Sequence, residues 1–298
     1  MTPAANTVGI IGLGLVGSAL AQRLTAAGFK VTGFDLREEA RTALIAQGGS
    51  AAGSLAEVAN AASCMVLAVF NTDDVLRVVE GPGGLLSAPG VRHIIDCSTG
   101  TPRELEALAA RLQARDINFI EAPLSGSSLQ IAAGEATLLL GGEAEALQAC
   151  ESVLAAISDQ RIHVGGAGMG AKAKLATNLV LGLNRAVLAE GMVFAENMGI
   201  SPAQFLAMVL ASPATSGAAQ AKGRMMVEGD FAPQSRIHQH LKDVKLMIES
   251  AAAEGQKLPL SEAHAELMRA AIIAGDGELD NAAIIRELRR QKTAPPSN

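Results

Sequence analysis

The chain of 298 residues has no Trp and no Tyr, and aromatic residues make up 2% of it. Aromatic stacking on bases, the usual route to single-stranded nucleic acid, is largely closed to such a sequence. It also lacks an excess of positive charge. The formal net charge is −6, which argues against a phosphate-backbone partner and predicts no nucleic-acid binding. Cysteines are few: Cys64, Cys97 and Cys150 stand far apart, with neither a disulfide framework nor a metal-ligand spacing. Reduced thiols, a cytoplasmic compartment and no metal site are therefore expected. Cys64 and Cys97 fall in apolar, strand-like runs and are expected in the core. No uninterrupted apolar run approaches the roughly 20 residues of a membrane span. The first apolar run has no basic leader, since the first basic residue is Arg23, and glycines interrupt it. The expectation is a soluble protein without a membrane partner.

What the sequence does have is aliphatic. Nearly half of it, 49%, is apolar, so Ala, Leu, Val, Ile and Met must build a large core. At roughly 100–200 residues per domain the length suggests two domains. The first half alternates short apolar runs with helical patterns. "VGIIG" reads as a strand, followed by Val16, Leu20, Leu24 and Ala27 at helical spacing, with Gly28 placed to stop the helix. "KVTGFD" is a second strand ending at Asp35, and helix-like "REEARTALIAQGG" and "SLAEVANA" follow. "SCMVLAVF" and "VRHIIDCS" are continuous apolar runs, as expected of strands buried on both faces of a parallel sheet. Thr101-Pro102-Arg103-Glu104 reads as a capping box with Pro at the first helical position. "INFIEAP" is another strand. "ATLLLGG" and "RIHVG" flank a helix with Leu147, Cys150, Leu154 and Ile157 on its face. This alternation predicts a doubly wound α/β domain over residues 1–164.

From about Gly165 the strand-like runs stop. One long helix is predicted from about Ala171 to Met198, Ser201-Pro202 starts the next, and residues 165–298 read as an all-α C-terminal domain. The basic run Arg286 to Lys292 suits a helix C-terminus, and the polar tail "KTAPPSN" reads as disordered.

In this context the stretch Gly12-Leu13-Gly14-Leu15-Val16-Gly17 follows a strand and opens a helix. Gly12 permits a tight turn, Gly14 lets backbone approach a pyrophosphate, and Gly17 allows close helix–strand packing. The free N–H groups of the helix start face the phosphates. Asp35 stands where a carboxylate accepts bonds from ribose hydroxyls, which favours NAD. Arg37, beyond Leu36, can accommodate a 2′-phosphate, so NADP stays open. The expected domain is Rossmann-type and its cofactor is NAD or NADP. Asn71 leaves the "MVLAVF" strand at its C-terminal end, where ligands bind in open α/β sheets, although a polar strand exit explains it equally well.

Four stretches together resemble the β-hydroxyacid dehydrogenase family, of the 3-hydroxyisobutyrate dehydrogenase and tartronate semialdehyde reductase type, from Val8 to about Leu288. "GLGLVG" is similar to the family's opening, with Val16 where Met is usual. "DCSTGTP", holding Thr99, resembles the loop beside the nicotinamide. "EAPLSGSSLQIAAGEATLLLGG" resembles the substrate-binding stretch, centred on Ser125-Gly126-Ser127, with Ser127 in place of a second glycine. "GGAGMGAKAKLATN" matches Gly165-x-x-Gly168-x-Gly170-x-x-x-Lys174-x-x-x-Asn178. The resemblance implies an NAD(P)-dependent enzyme interconverting a short 3-hydroxy acid and its semialdehyde. It also implies a homodimer or homotetramer, which the apolar faces of the C-terminal helices suit. "KDVKL" resembles a further motif and implies that Lys242, at a helix start, closes over cofactor or substrate; a helix-start charge pair with Asp243 is the alternative.

The residue chemistry agrees. Hydride leaves a carbinol carbon only as the hydroxyl proton is removed, and a partly desolvated lysine can take that proton. Lys174 lies near the start of the long helix, where a cleft between the domains is expected. Asn178 is one turn on, on the same face, and can orient the substrate. The backbone N–H groups of Ser125, Gly126 and Ser127 can bind the substrate's carboxylate. His238 and His240 precede Lys242 without a carboxylate ligand pattern, so no metal is assigned, and a role for His240 near substrate stays open. The rivals are an imine reductase on the same plan, a relative of the decarboxylating 6-phosphogluconate dehydrogenases, and a non-catalytic nucleotide sensor.

Overall fold

The structure is a computed structural model that describes residues 6–291. The tail from Lys292, and with it the last residue of the basic run, lies outside the described residues. The chain divides into two compact units, Met1–Lys174 and Leu175–Asn298.

The first unit is built on one sheet. Its strands are β1 (Thr7–Ile11), β2 (Lys30–Phe34), β3 (Ser50–Ala51), β4 (Cys64–Leu67), β5 (His93–Asp96), β6 (Asn118–Glu121), β7 (Leu124–Ser125), β8 (Thr137–Gly141) and β9 (Arg161–Gly165). They lie in the order β3-β2-β1-β4-β5-β6-β8-β7, with β9 also paired to β8. The first six are parallel, and β8 runs antiparallel to β6 and β7. The central strands are apolar on both faces because helices cover both. All of β4, and Ile94 to Asp96 of β5, are buried. One core cluster gathers Ile10, Leu20, Leu24, Val66 and Ile95, and another gathers Met65, Leu67, Ile94, Leu105 and Leu108. Each such side chain contributes roughly 1.5–3 kcal/mol. All three cysteines are buried and free.

The helices of this unit are α1 (Leu15–Ala26), α2 (Glu38–Ala46), α3 (Leu55–Ala61), α4 (Thr72–Glu80), α5 (Pro102–Gln113), α6 (Ser128–Ala133), α7 (Ala144–Ala149) and α8 (Glu151–Ile157). Two expectations need correction. The helix expected between β8 and β9 breaks at Cys150 (φ −105°, ψ 7°) into α7 and α8. Helix α5 starts with Pro102 as expected, but Thr101 forms no capping box. Its N–H is instead donated to Thr72 Oγ1 at 2.8 Å, and the two hydroxyls lie 3.4 Å apart, so a tertiary partner has displaced the local one.

Helix α9 (Met169–Asn197) begins in the first unit and continues into the second. The second unit holds α10 (Pro202–Leu210), α11 (Gly217–Glu228), α12 (Ile237–Ala253), α13 (Pro259–Ile273) and α14 (Ile284–Arg290). Its core packs Leu188, Met192, Met226, Ile237, Val244, Met268 and Ile284. Ser201 and Gln204 form the capping box that starts α10. The cations of α14 pair with acids: Arg289 with Glu196, and Arg286 and Arg290 with Asp276. By length and composition alone α9 can cross a membrane, with a mean hydropathy of 1.2. Charged residues punctuate it, so it holds no uninterrupted apolar run of that length. The polar side chains of Lys174, Asn178 and Arg185 are buried along it, which marks the core helix of a globular fold.

Candidate active site

The turn between β1 and α1 is closed at two glycines and open at the third. Gly12 has φ +87°, and a Cβ there would overlap the Ala68 carbonyl. A Cβ on Gly17 would overlap the Gly12 carbonyl, so this glycine lets α1 rest on its own turn. A Cβ on Gly14 would meet nothing within 4 Å. Gly14 is also the N-cap of α1, and no side chain caps that helix. Open space in front of a helix N-terminus fits an anionic group such as a pyrophosphate.

Asp35 follows β2. One of its oxygens accepts the Leu13 N–H at 2.8 Å, tying the acid to the glycine turn. Arg37 clasps the same carboxylate, with its Nε 3.1 Å and its Nη2 3.2 Å from the two oxygens. Burial pushes this carboxyl up, but the bonds from Arg37 and the Leu13 N–H outweigh it and leave the pKa below the ordinary value. Leu36 is exposed beside them.

The ends of β4 and β5 are tied together. Asp96 Oδ1 accepts the Ser98 N–H at 2.9 Å, and Ser98 Oγ accepts the Val69 N–H at 3.1 Å. Thr99 lies on this loop. Asn71 has a structural task, since its side chain caps α4 by accepting the Asp74 N–H at 2.8 Å.

Two residues at the end of β6 and just after it hold the start of α9. Glu121 is buried and accepts N–H groups from Gly168 and, at 2.9 Å, from Ala171. Three residues on, the Leu124 carbonyl accepts from Lys174 Nζ at 2.6 Å. Lys174 is only 8% exposed, and its ammonium is thereby held next to Ser125. The carboxylate at the end of "INFIEAP" was visible in sequence, but nothing local linked it to a helix 47 residues away.

Ser127 starts α6 through a capping box. Its Oγ accepts the Gln130 N–H, and its own N–H goes to the Gln130 side chain at 2.9 Å. That N–H is spent locally. The Ser127 hydroxyl proton and the Gly126 N–H remain as donors toward a ligand, while the Ser125 N–H lies in the β7–β8 ladder opposite Thr137.

In the second unit, Asn178 Nδ2 donates to Asp243 Oδ2 at 3.0 Å, and Lys242 Nζ lies 3.0 Å from Asp243 Oδ1. Asp243 thus bridges two of the expected site residues. The pair does not open a helix, as expected from sequence, because α12 begins five residues earlier at Ile237. His240 is buried with its ring 5.3 Å from that of His264, whereas His238 is half exposed. No group of three or more His, Cys, Asp or Glu suited to a metal occurs among the described residues.

A parallel sheet in the order 3-2-1-4-5-6, with a glycine turn and an acid after the second strand, defines an NAD(P)-binding oxidoreductase unit. Comparison with known proteins extends this to the whole chain. Residues 7–166 match the profile described as the NAD binding domain of 6-phosphogluconate dehydrogenase. Residues 168–288 match that described as NAD-binding of NADP-dependent 3-hydroxyisobutyrate dehydrogenase. The chain is 32% identical to L-threonate dehydrogenase of Cupriavidus necator, over 94% of this chain and 95% of that protein. It is 31% identical to 2-(hydroxymethyl)glutarate dehydrogenase of Eubacterium barkeri, over 94% and 93%. The crystal structure of 3-hydroxyisobutyrate dehydrogenase from Salmonella typhimurium superposes with a TM-score of 0.85 at 29% identity, covering 94% of this chain and 99% of that one. The chain belongs to the β-hydroxyacid dehydrogenase family and is an NAD(P)-dependent dehydrogenase or reductase acting on CH–OH groups.

Proposed function

We propose that the enzyme interconverts a short 3-hydroxy acid and its semialdehyde, with Lys174 as general acid and base. The observation that carries this reading is the burial of the Lys174 ammonium on the Leu124 carbonyl, one residue before the Ser125–Ser127 loop. A proton donor is thus held beside a set of N–H and hydroxyl donors suited to a carboxylate. The named relatives act on hydroxy acids, in keeping with this substrate class.

The dinucleotide would be held by Gly12 to Gly17 at the start of α1, by Asp35 or Arg37 at its ribose, and by Thr99 near its nicotinamide end. It supplies or accepts the hydride. Lys174 Nζ gives its proton to the carbonyl oxygen during reduction and takes it from the hydroxyl during oxidation. Asn178, anchored on Asp243, donates its amide to the substrate oxygen, and Lys242 is held on the same acid. Ser125, Gly126 and the Ser127 hydroxyl bind the carboxylate. Asp35 suits the free ribose hydroxyls of NAD. Arg37, its side chain half exposed, can turn from Asp35 to a 2′-phosphate, so NADP is also accepted. Residues 1–164 bind the nucleotide, and residues 165–298 serve substrate and self-association. A homodimer or homotetramer in the cytoplasm is supported by Val180, Val187 and Phe194, exposed at seven-residue intervals on α9, and by three free thiols.

Replacing Lys174 with Ala tests the mechanism. Turnover of NADH against a panel of short semialdehydes should fall by roughly 10²–10⁴-fold. NADH affinity, read by fluorescence, should hold. Unchanged turnover would remove Lys174 from the chemistry.

A further inference from the structure

The second unit buries two cations and supplies one of them with a counter-charge. Asp280 is fully buried and its oxygens are taken. Oδ2 accepts Lys222 Nζ at 2.9 Å and the N–H groups of Gln234 at 2.9 Å and Ser235 at 3.1 Å. Oδ1 accepts the Ala282 N–H at 3.0 Å. Arg185 is 4% exposed, and its Nε and Nη2 find no hydrogen-bond partner among the described residues. Asp280 is near enough to act on Arg185 by charge alone, and burial still drives the guanidinium down to about 10. An arginine at that value stays charged at neutral pH. A buried, charged guanidinium with unspent donors is among the costliest arrangements a core can hold, unless an anion completes it.

The position of Arg185 says which anion. It lies seven residues after Asn178 on α9, on the same face and about 10 Å further along the axis. Helical side chains lean toward the N-terminus, so the guanidinium is carried back toward Asn178. Its charge acts there on His264, whose pKa falls to about 4 through burial and Arg185 together. Between the two lies Gly182, against which both imidazoles pack: a Cβ there would overlap His240 and come 3.3 Å from His264. His264 is therefore neutral at physiological pH and brings no competing charge.

We propose that Arg185 receives a second carboxylate on the substrate, so that the enzyme takes short-chain hydroxy acids with an anionic group at each end. This rests on the reading of Lys174 and Asn178 as the reacting end. The planar fork of Arg185 would bind the far carboxylate through the donors that the protein leaves unused. Lys222, spent on Asp280 and Gln234, is not needed for it.

The test compares two 2-substituted 3-hydroxy acids that differ only in a carboxylate or a methyl at the end of the C2 arm. The dicarboxylate should win in kcat/KM by roughly 10- to 100-fold, the scale of hydrogen bonds to a charged group. In Arg185→Met that ratio should collapse, while Arg185→Lys should keep part of it. The Met variant breaks no hydrogen bond among the described residues, so it is expected to fold. A ratio near one in the wild type, or an undiminished ratio in the Met variant, overturns the proposal. If neither acid is oxidised, the hydroxy-acid reading fails, and thermal denaturation with glutarate decides the site by itself. A rise in Tm that Arg185→Met abolishes upholds it, and no rise in the wild type overturns it.

Discussion

Glu121 in the first unit and Arg185 in the second are both charged side chains taken out of water. Glu121 receives two backbone N–H groups from the start of α9 and serves to hold that helix in place. Arg185 finds no hydrogen-bond partner for its Nε and Nη2 among the described residues. The glycine turn repeats the contrast within six residues. Gly17 is closed by the backbone it touches, and Gly14 faces open space. In both units a polar or backbone position whose partners are all present reads as architecture. One whose partners are missing reads as a place for a ligand. The distinction is energetic, because burial penalises an unsatisfied group far more than it rewards a satisfied one.

The largest stability effect should come from turning a satisfied cluster into an unsatisfied one. Asp280→Asn strips the counter-charge from Lys222 and leaves two buried cations, at an expected cost of about 3–5 kcal/mol. Urea unfolding would read this directly. A loss below about 1 kcal/mol would mean that water already reaches the cluster, and the contrast with Glu121 would disappear. Glu121 gives the next effect, through pH. Burial pushes its carboxyl up to about 7; the Ala171 and Gly168 N–H groups pull it down, and the nearby Asp96 charge adds to the rise. A carboxyl whose folded pKa lies above its unfolded value favours folding most at low pH. That contribution is lost as pH rises from about 4.5 to about 7. The loss should approach about 3 kcal/mol over that window, read as the difference between wild type and Glu121→Gln, because His264, with a folded pKa of about 4, titrates with the opposite sign over the same range. A difference that does not change with pH between those values would show that the two N–H donors keep Glu121 ionised throughout.

What could be read in the sequence follows the same division. The strand–turn–helix at the glycines, the position of Asp35 after the second strand, and the placement of Lys174 and Asn178 one turn apart on α9 were legible because each depends on local spacing along a strand–helix junction or a helix face. The parallel sheet was legible because its strands are apolar on both faces. Contacts across long sequence distances were not. Glu121 meets Gly168 across 47 residues, and Lys222 meets Asp280 across 58. Burial of a charge leaves no period in the sequence, so Arg185 looked like any polar residue on a helix. Thr101 failed as a cap for the same reason, since Thr72, 29 residues away, outcompeted its local partners. Ser127 was singled out as a ligand contact, yet its N–H is consumed by Gln130 three residues on, a capping box that "SSLQ" spells out.

The smallest stability change should come from Gly14, and its smallness is what makes it informative. Alanine is a poorer N-cap than glycine, but it also restricts the unfolded chain, and the two effects nearly cancel. With φ −72° and no atom within 4 Å of the new methyl, Gly14→Ala should hold its unfolding midpoint within about 0.5 kcal/mol of wild type. NADH affinity should nevertheless fall, because the methyl occupies the space in front of α1 where the pyrophosphate would sit. Gly17→Ala should do the reverse, lowering stability first through its overlap with the Gly12 carbonyl. Measuring both variants by urea unfolding and by NADH fluorescence separates fold from binding within one turn. If Gly14→Ala binds NADH as the wild type does, the open space at this turn is not where the phosphates lie.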